Sequence, residues 1–316
     1  MRHVANLKDL TREEILQILD KAAEIKADPA RFEHALHRQT LAMIFQKTST
    51  RTRVSFEVGM TDLGGHAIYI DWDTSNFVLS GIQYETEYLS RNVNCIMARL
   101  LHYGDLQKII EVSKVPVING CCEKFHPCQA LTDLFTVREY CSRDLRDIRL
   151  TFVGVQNNVA NSLAIICDKL GVNLTLATPQ RDGSTDNGEC RDAEVEDLLE
   201  NSPVIQQTPD ALEAVQTADF VYTDTWIDMQ YFNDPSLVTE NNTKLDQLMP
   251  YQINADLLKG VDCRIMHDMP IHEGYEISAE MVRDPRAIIF EQAENRLHAQ
   301  KGLLWWIDHQ TNSTSG

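Results

Sequence analysis

The chain has 316 residues, 43% hydrophobic and 24% charged, enough for two ordinary globular domains. Its net charge of −18 argues against nucleic acid or an anionic membrane as partner. No apolar run approaches a membrane span, and Met1 to Asn6 lacks the apolar stretch of a signal peptide.

Thr11-Arg12-Glu13-Glu14 is a capping box that opens a helix to about Ala27. Short apolar runs then predict strands at 40–46, 66–71, 95–99 and 115–118. They alternate with helical patterns at 52–63, 82–93, 104–112 and 128–142, which describes one α/β unit with a parallel sheet. Cys141 to Asp147 carries charges and no apolar run, and places a domain boundary at 143/144. A second alternating set follows, with strands at 148–155, 173–177, 204–206, 220–223 and 264–267. Its helices fall at 157–170, at 194–199 and near Ala211. A last amphipathic helix covers about Glu291 to Asp308. Gln180 to Cys190 reads as a surface loop, and Asn312 to Gly316 as a polar tail without order. The fold class is therefore α/β with two domains, 1–143 and 144–290, each a parallel β-sheet flanked by helices.

The eight cysteines, Cys95, Cys121, Cys122, Cys128, Cys141, Cys167, Cys190 and Cys263, form no CxxC pair. They read as reduced thiols in a cytoplasmic protein. Cys121, Cys122, His126 and Cys128 cluster, but their spacing matches no common structural zinc pattern, so no metal is expected.

Residues 45–57 say most about chemistry. The apolar run Leu41 to Phe45 leads into Ser49-Thr50-Arg51-Thr52-Arg53, and Val54, Phe56, Val58 and Met60 follow at helical spacings. A helix N-terminus has unpaired N–H groups and a positive dipole end. Three hydroxyls and two guanidiniums placed there make an oxyanion site, and Arg holds phosphate in a two-armed fork. The segment is not a GxxxxGK[ST] loop, which disfavours a nucleoside triphosphate. The plainer alternative is a surface turn with an N-cap and two solvated arginines. His126-Pro127-Cys128-Gln129 opens another predicted helix, with Pro127 suited to its first turn, so His126 and Gln129 can face one ligand. A hydrogen-bonded structural histidine is the alternative there.

Ser49-Thr50-Arg51-Thr52-Arg53 followed by Ser55-Phe56-Glu57 resembles the carbamoyl-phosphate loop of the aspartate/ornithine carbamoyltransferase family. His126-Pro127-Cys128-Gln129, Asp224-Thr225-Trp226 and Glu294-Asn295-Arg296-Leu297-His298 match further family motifs in the same order, so the resemblance runs from about Arg2 to about Trp306. It implies an active site in the cleft between the domains and a C-terminal helix, 291–310, packed back on the first domain. No cofactor is implied. By this resemblance Ser49, Thr50, Arg51, Thr52 and Arg99 hold the phosphate of carbamoyl phosphate, and His126, Gln129 and Arg296 surround its carbamoyl group. Gln83 reaches a neighbouring subunit's site, and the assembly is a homotrimer. The expected catalytic set is Arg51, His126, Gln129, Asp268 and Arg296.

The acceptor side departs from the family pattern. Asp224-Thr225-Trp226-Ile227-Asp228-Met229 resembles the ornithine-enzyme segment Asp-x-Trp-x-Ser-Met-Gly, but Asp228 stands in place of Ser and Gln230 in place of Gly. His267-Asp268-Met269-Pro270 stands where His-Cys-Leu-Pro is expected. Asn157 and Asn158 match an Asn pair that holds the amino-acid carboxylate, and the implied amine site comprises Asn157, Asn158, Asp224, Asp228, Met229, Asp268 and Met269. Added carboxylates attract an amine and repel a carboxylate, which disfavours aspartate as acceptor. The expected reaction is transfer from carbamoyl phosphate to the δ-amine of L-ornithine. The alternatives are another amine (putrescine, lysine or a modified ornithine) and a catalytically silent binding or regulatory relative.

Overall fold

The computed structural model describes residues 1–179, 190–227, 232 and 234–313, leaving out the side chains of Asn312 and Ser313. The chain divides into two units. The first is Met1–Thr136 with Glu294–Gly316, and the second is Val137–Ala293. No described helix is long and apolar enough to cross a membrane.

In the first unit, α1 (Arg12–Ala27) begins at the capping box: Thr11 Oγ1 accepts from Glu14 N–H, and Glu14 Oε2 accepts from Thr11 N–H at 2.9 Å. Then come β1 (Thr40–Phe45), α2 (Thr50–Asp62), β2 (His66–Asp71), α3 (Ile82–Leu89), β3 (Cys95–Arg99), α4 (Tyr103–Val112), β4 (Val117–Cys121) and α5 (Pro127–Tyr140). The four strands are all parallel, in the order β2-β1-β3-β4. β1 is central and almost wholly buried, as a strand covered on both faces must be. The sequence places the fourth strand at 115–118. The strand instead runs to Cys121. The N-terminal segment satisfies its edge: Asn119 N–H donates to the Val4 carbonyl, and Asn119 Nδ2 to the Ala5 carbonyl. At Gly120 a Cβ would lie 2.4 Å from Met97 Sδ, so the Met97 side chain would have to shift to admit one.

The second unit contains β5 (Arg149–Val153), α6 (Asn158–Leu170), β6 (Asn173–Ala177), α7 (Ala193–Asn201), β7 (Ile205–Thr208), α8 (Ala211–Val215), β8 (Phe220–Thr223), α9 (Val238–Leu248), β9 (Arg264–His267), α10 (Ala279–Val282) and the start of α11 (Ile289–Ser313). Its sheet is also parallel, in the order β7-β6-β5-β8-β9. α9 is absent from the sequence reading. Leu248 is its one buried residue and its middle is Asn- and Thr-rich, so neither burial period nor propensity marks it. The loop expected at 180–190 lies outside the described residues except for Cys190.

The division between units falls inside α5, after Thr136, and not in the charged stretch 141–147. The last turn of α5 belongs with the second unit, where the Arg264 guanidinium lies over the Tyr140 ring. α11 likewise begins in the second unit and continues into the first. It ends later than the sequence suggests, at Ser313. Within the first unit it is anchored by Trp306 Nε1 to Gln17 Oε1 and by Lys301 to Asp62. Gly302 lets it approach α1, where a Cβ would lie 2.6 Å from the Ile18 carbonyl oxygen.

Both strand orders contain a point at which the chain leaves neighbouring strands in opposite directions, and ligands of open α/β sheets bind outside the carboxyl ends of those strands. In the first unit these strands are β1 and β3, where Phe45 pairs with Arg99. In the second they are β5 and β8.

Candidate active site

At the carboxyl end of β1, Ser49 adopts an extended conformation (φ −161°) and caps α2. Its Oγ accepts from Thr52 N–H and donates to Thr52 Oγ1. Thr52 is fully buried, and its hydroxyl also accepts from Arg296 Nη2 at 2.9 Å. Arg296 Nη1 donates to Gln129 Oε1, and Gln129 Nε2 donates to Asp133 Oδ1 at 2.8 Å. One chain of hydrogen bonds thus ties the starts of α2 and α5 to α11. It also settles the orientation of the Gln129 amide: its oxygen faces Arg296 and its nitrogen faces Asp133. Thr50 is exposed at the first position of α2, and Arg51 follows it, partly buried. The sequence reading counts two guanidiniums here, but Arg53 turns outward. Its Nε donates to Glu57 and its guanidinium covers Tyr69.

Arg99 ends β3, and its buried Nε has no hydrogen-bond partner among the described residues. His126 precedes the first turn of α5 and is 4% exposed. Burial holds its pKa well below the ordinary histidine range, and the charges of Arg296, Arg99 and Arg51 push it the same way. The imidazole is therefore neutral at pH 7, an N–H donor among three cations. Next to it, burial pushes the Cys128 thiol up to about 12. A thiol that stays protonated is no nucleophile. The first-unit group combines an anion cradle with donors for a polarised carbonyl. Gln83 is exposed on the first turn of α3.

Asp133 is missing from the sequence reading. Its signal was a lone acid in the apolar run Ala130-Leu131-Thr132-Asp133-Leu134-Phe135, one helical turn from Gln129.

The second unit gathers different chemistry. Asp224 follows β8 and is 7% exposed. Its Oδ1 accepts from Thr225 N–H and its Oδ2 from Asn157 Nδ2, both at 2.7 Å. Burial raises its pKa well above the carboxylate range. The charge of Asp268 raises it further, and Glu276 adds to this against those two hydrogen bonds. Asn157, expected to hold a substrate carboxylate, also caps α6. Its Oδ1 accepts from Val159 and Ala160 N–H while its amide nitrogen holds Asp224. Asn158 is the first residue of α6 and half-buried.

Asp268 follows β9 and is buried, and Met269 after it has a left-handed backbone (φ 67°). Met269 N–H donates to His267 Nδ1 at 2.7 Å, so His267 carries its proton on Nε2 and donates it to Glu276 Oε1. Glu276, fully buried, also accepts from His272 N–H. No sequence period reveals this network, because its members pair through space. Asp228 and Met229, expected on the acceptor side, lie outside the described residues, as does Gln230. Among the described residues, no group of three or more His, Cys, Asp or Glu is placed to hold a metal.

Comparison with known proteins adds an independent line. Residues 2–139 match the family model described as aspartate/ornithine carbamoyltransferase, carbamoyl-P binding domain. Residues 146–307 match the one described as its Asp/Orn binding domain. The chain is 38% identical over 313 residues to a catabolic ornithine carbamoyltransferase of Halobacterium salinarum, covering 98% of this chain and 100% of that one. It is 37% identical over 316 residues to the ornithine carbamoyltransferase of Bacillus subtilis, covering 99% and 96%. Among solved structures, the ornithine carbamoyltransferase from Pyrococcus furiosus is similar with a TM-score of 0.85 at 38% identity, covering 96% of each chain. The anabolic enzyme from Campylobacter jejuni gives 0.86 at 31% identity, covering 98% of this chain and 100% of that one.

Proposed function

The chain belongs to the aspartate/ornithine carbamoyltransferase family, and from that premise we propose that it moves the carbamoyl group of carbamoyl phosphate to the δ-amine of L-ornithine, giving citrulline and phosphate. The observation that carries this reading is the first-unit cluster, in which Arg296 joins Thr52 at the start of α2 to Gln129 at the start of α5, with His126 buried just before α5. Ser49, Thr50, Arg51, Thr52 and Arg99 hold the phosphate. Arg296 and His126 donate to the carbonyl oxygen, and Gln129 Oε1 accepts from the carbamoyl NH₂. A neutral imidazole suits this role, because it polarises the carbonyl without first having to bind a proton. Asp224 and Asp268 face the acceptor's amine, with Asn158 and Met269 beside them.

Phosphate release from carbamoyl phosphate, followed with ornithine, putrescine and lysine in turn, tests the reading. Ornithine should give the highest kcat/KM. Preference for another amine would follow from Asp268 standing where the family pattern has Cys, and no turnover with any amine would leave a binding relative. Arg51→Ala should lower kcat/KM for carbamoyl phosphate by about 2–4 kcal/mol, the size of a charge-assisted fork to an oxyanion. Activity within threefold of the parent would remove Arg51 from the site.

A homotrimer completes the reading. Val54 and Val58 on α2, Ile68 on the edge strand β2, and Val78, Leu79, Tyr84 and Tyr88 around α3 are all exposed in the single chain, Leu79 by 82%. Exposed apolar side chains of this kind in one unit support a protein interface there. Gln83 lies within the same stretch, and a closed ring would bring it to a neighbour's phosphate. Light scattering should give three times the chain mass, and an active monomer would refute the assembly. Eight cysteines, none in a disulfide among the described residues, suit a reducing compartment, which supports a cytoplasmic location.

A further inference from the structure

We propose that Asp224 and Asp268 act together as the base that takes the proton from the acceptor's ammonium group. The inference rests on the carbamoyl-transfer reading and adds to it the group that activates the amine. Thr223 and His267 are register partners on the adjacent parallel strands β8 and β9, so Asp224 and Asp268 are the next residues on each. Neighbouring strands run about 4.8 Å apart, which sets the two buried carboxyls side by side at the strand ends.

Other titratable groups in this part of the unit are already committed. His267 accepts from Met269 N–H with Nδ1 and donates to Glu276 with Nε2. Glu276 is fully buried and accepts from both His267 and His272. Asn157 and the Thr225 N–H fix Asp224 from α6 and from its own loop. Among the described residues, Asp268 and Glu276, both acids, act on Asp224 by charge. Two carboxylates this close bind their first shared proton more tightly than either would alone. A base of raised proton affinity is the better acceptor from an amine.

The proton balance closes. The δ-ammonium gives one proton to the ionised pair and its nitrogen lone pair forms the C–N bond. The bond between the carbonyl carbon and the phosphate oxygen breaks, and that oxygen keeps the electron pair. The second amine proton leaves with the phosphate as HPO₄²⁻, and the pair returns its proton to solvent.

The experiment compares the parent with Asp268→Asn and Asp268→Cys. It reads kcat/KM for ornithine from pH 5 to 10 at saturating carbamoyl phosphate. In parallel, ¹³C-carboxyl NMR titrates the aspartates of the substrate-free protein. Removing the neighbouring charge should move the acid limb to lower pH by about one unit or more, with a lower plateau. One aspartate carboxyl should titrate high in the parent and fall in both variants. Asp268→Cys keeps the test open should Asp268→Asn fail to fold. An acid limb that stays in place while the parent transfers carbamoyl normally overturns the paired base alone. A parent that transfers to no amine overturns the base role and the functional reading together.

Discussion

Arg296→Ala is expected to lower kcat/KM by about a thousandfold, about 4 kcal/mol. Three losses combine. A buried charge beside the carbonyl site disappears. Gln129 and Thr52 lose the donor that fixes their positions relative to each other. His126 also loses the charge that, after burial, does most to lower its pKa. Its pKa therefore rises in the variant, and it becomes protonated at a higher pH than in the parent. Histidine stability follows the same sign. With its folded pKa depressed, the contribution of His126 is present above the ordinary histidine pKa of 6.5 and is lost as pH falls below it. The parent should therefore lose more stability than Arg296→Ala between neutral and mildly acid pH. Arg296→Lys keeps the charge without the two-armed geometry and should fall between parent and alanine variant. Steady-state kinetics with a thermal melt of each variant reads all of this. A change of threefold or less in a folded variant would remove Arg296 from the chemistry.

Much of the fold was legible where local signals suffice. The capping box at Thr11 fixes where α1 begins, and the apolar runs at 173–177, 220–223 and 264–267 fix β6, β8 and β9. Local signals mislead where long-range contacts decide. Asn119-Gly120 has turn chemistry but lies in a buried strand, because the N-terminal segment satisfies it. Arg53 has the composition of an anion ligand but is claimed by Glu57 and Tyr69. The individual residues of the first-unit cluster could be singled out from motifs. Their joining could not, since Arg296 meets Gln129 across 167 positions and Thr52 across 244. Asp133 and Glu276, which fix the orientation of Gln129 and His267, carry no motif of their own.

Asp224→Asn carries the largest expected loss, about 10³–10⁴-fold in kcat/KM for ornithine, with carbamoyl phosphate binding unchanged. The amide keeps the size of the carboxyl but can neither hold the ammonium by charge nor take its proton. The same change has a stability signature that a merely structural residue would not give. The folded-state pKa of Asp224 is raised above its model value of 3.8. Stability from the neutral carboxyl is therefore fully present below that value and is lost as pH rises through the raised pKa. Asparagine does not titrate, so the variant escapes this loss. It also places an amide nitrogen opposite Asn157 Nδ2, a donor facing a donor, which costs about 1–3 kcal/mol at every pH. The sign of the offset between the two proteins is thus set by two opposed effects, but its slope is not. The melting temperature of Asp224→Asn minus that of the parent should increase steadily from pH 4 to pH 8. A difference independent of pH would mean that Asp224 ionises as an ordinary surface carboxylate does. The carboxyl pair would then have no raised proton affinity with which to activate the amine.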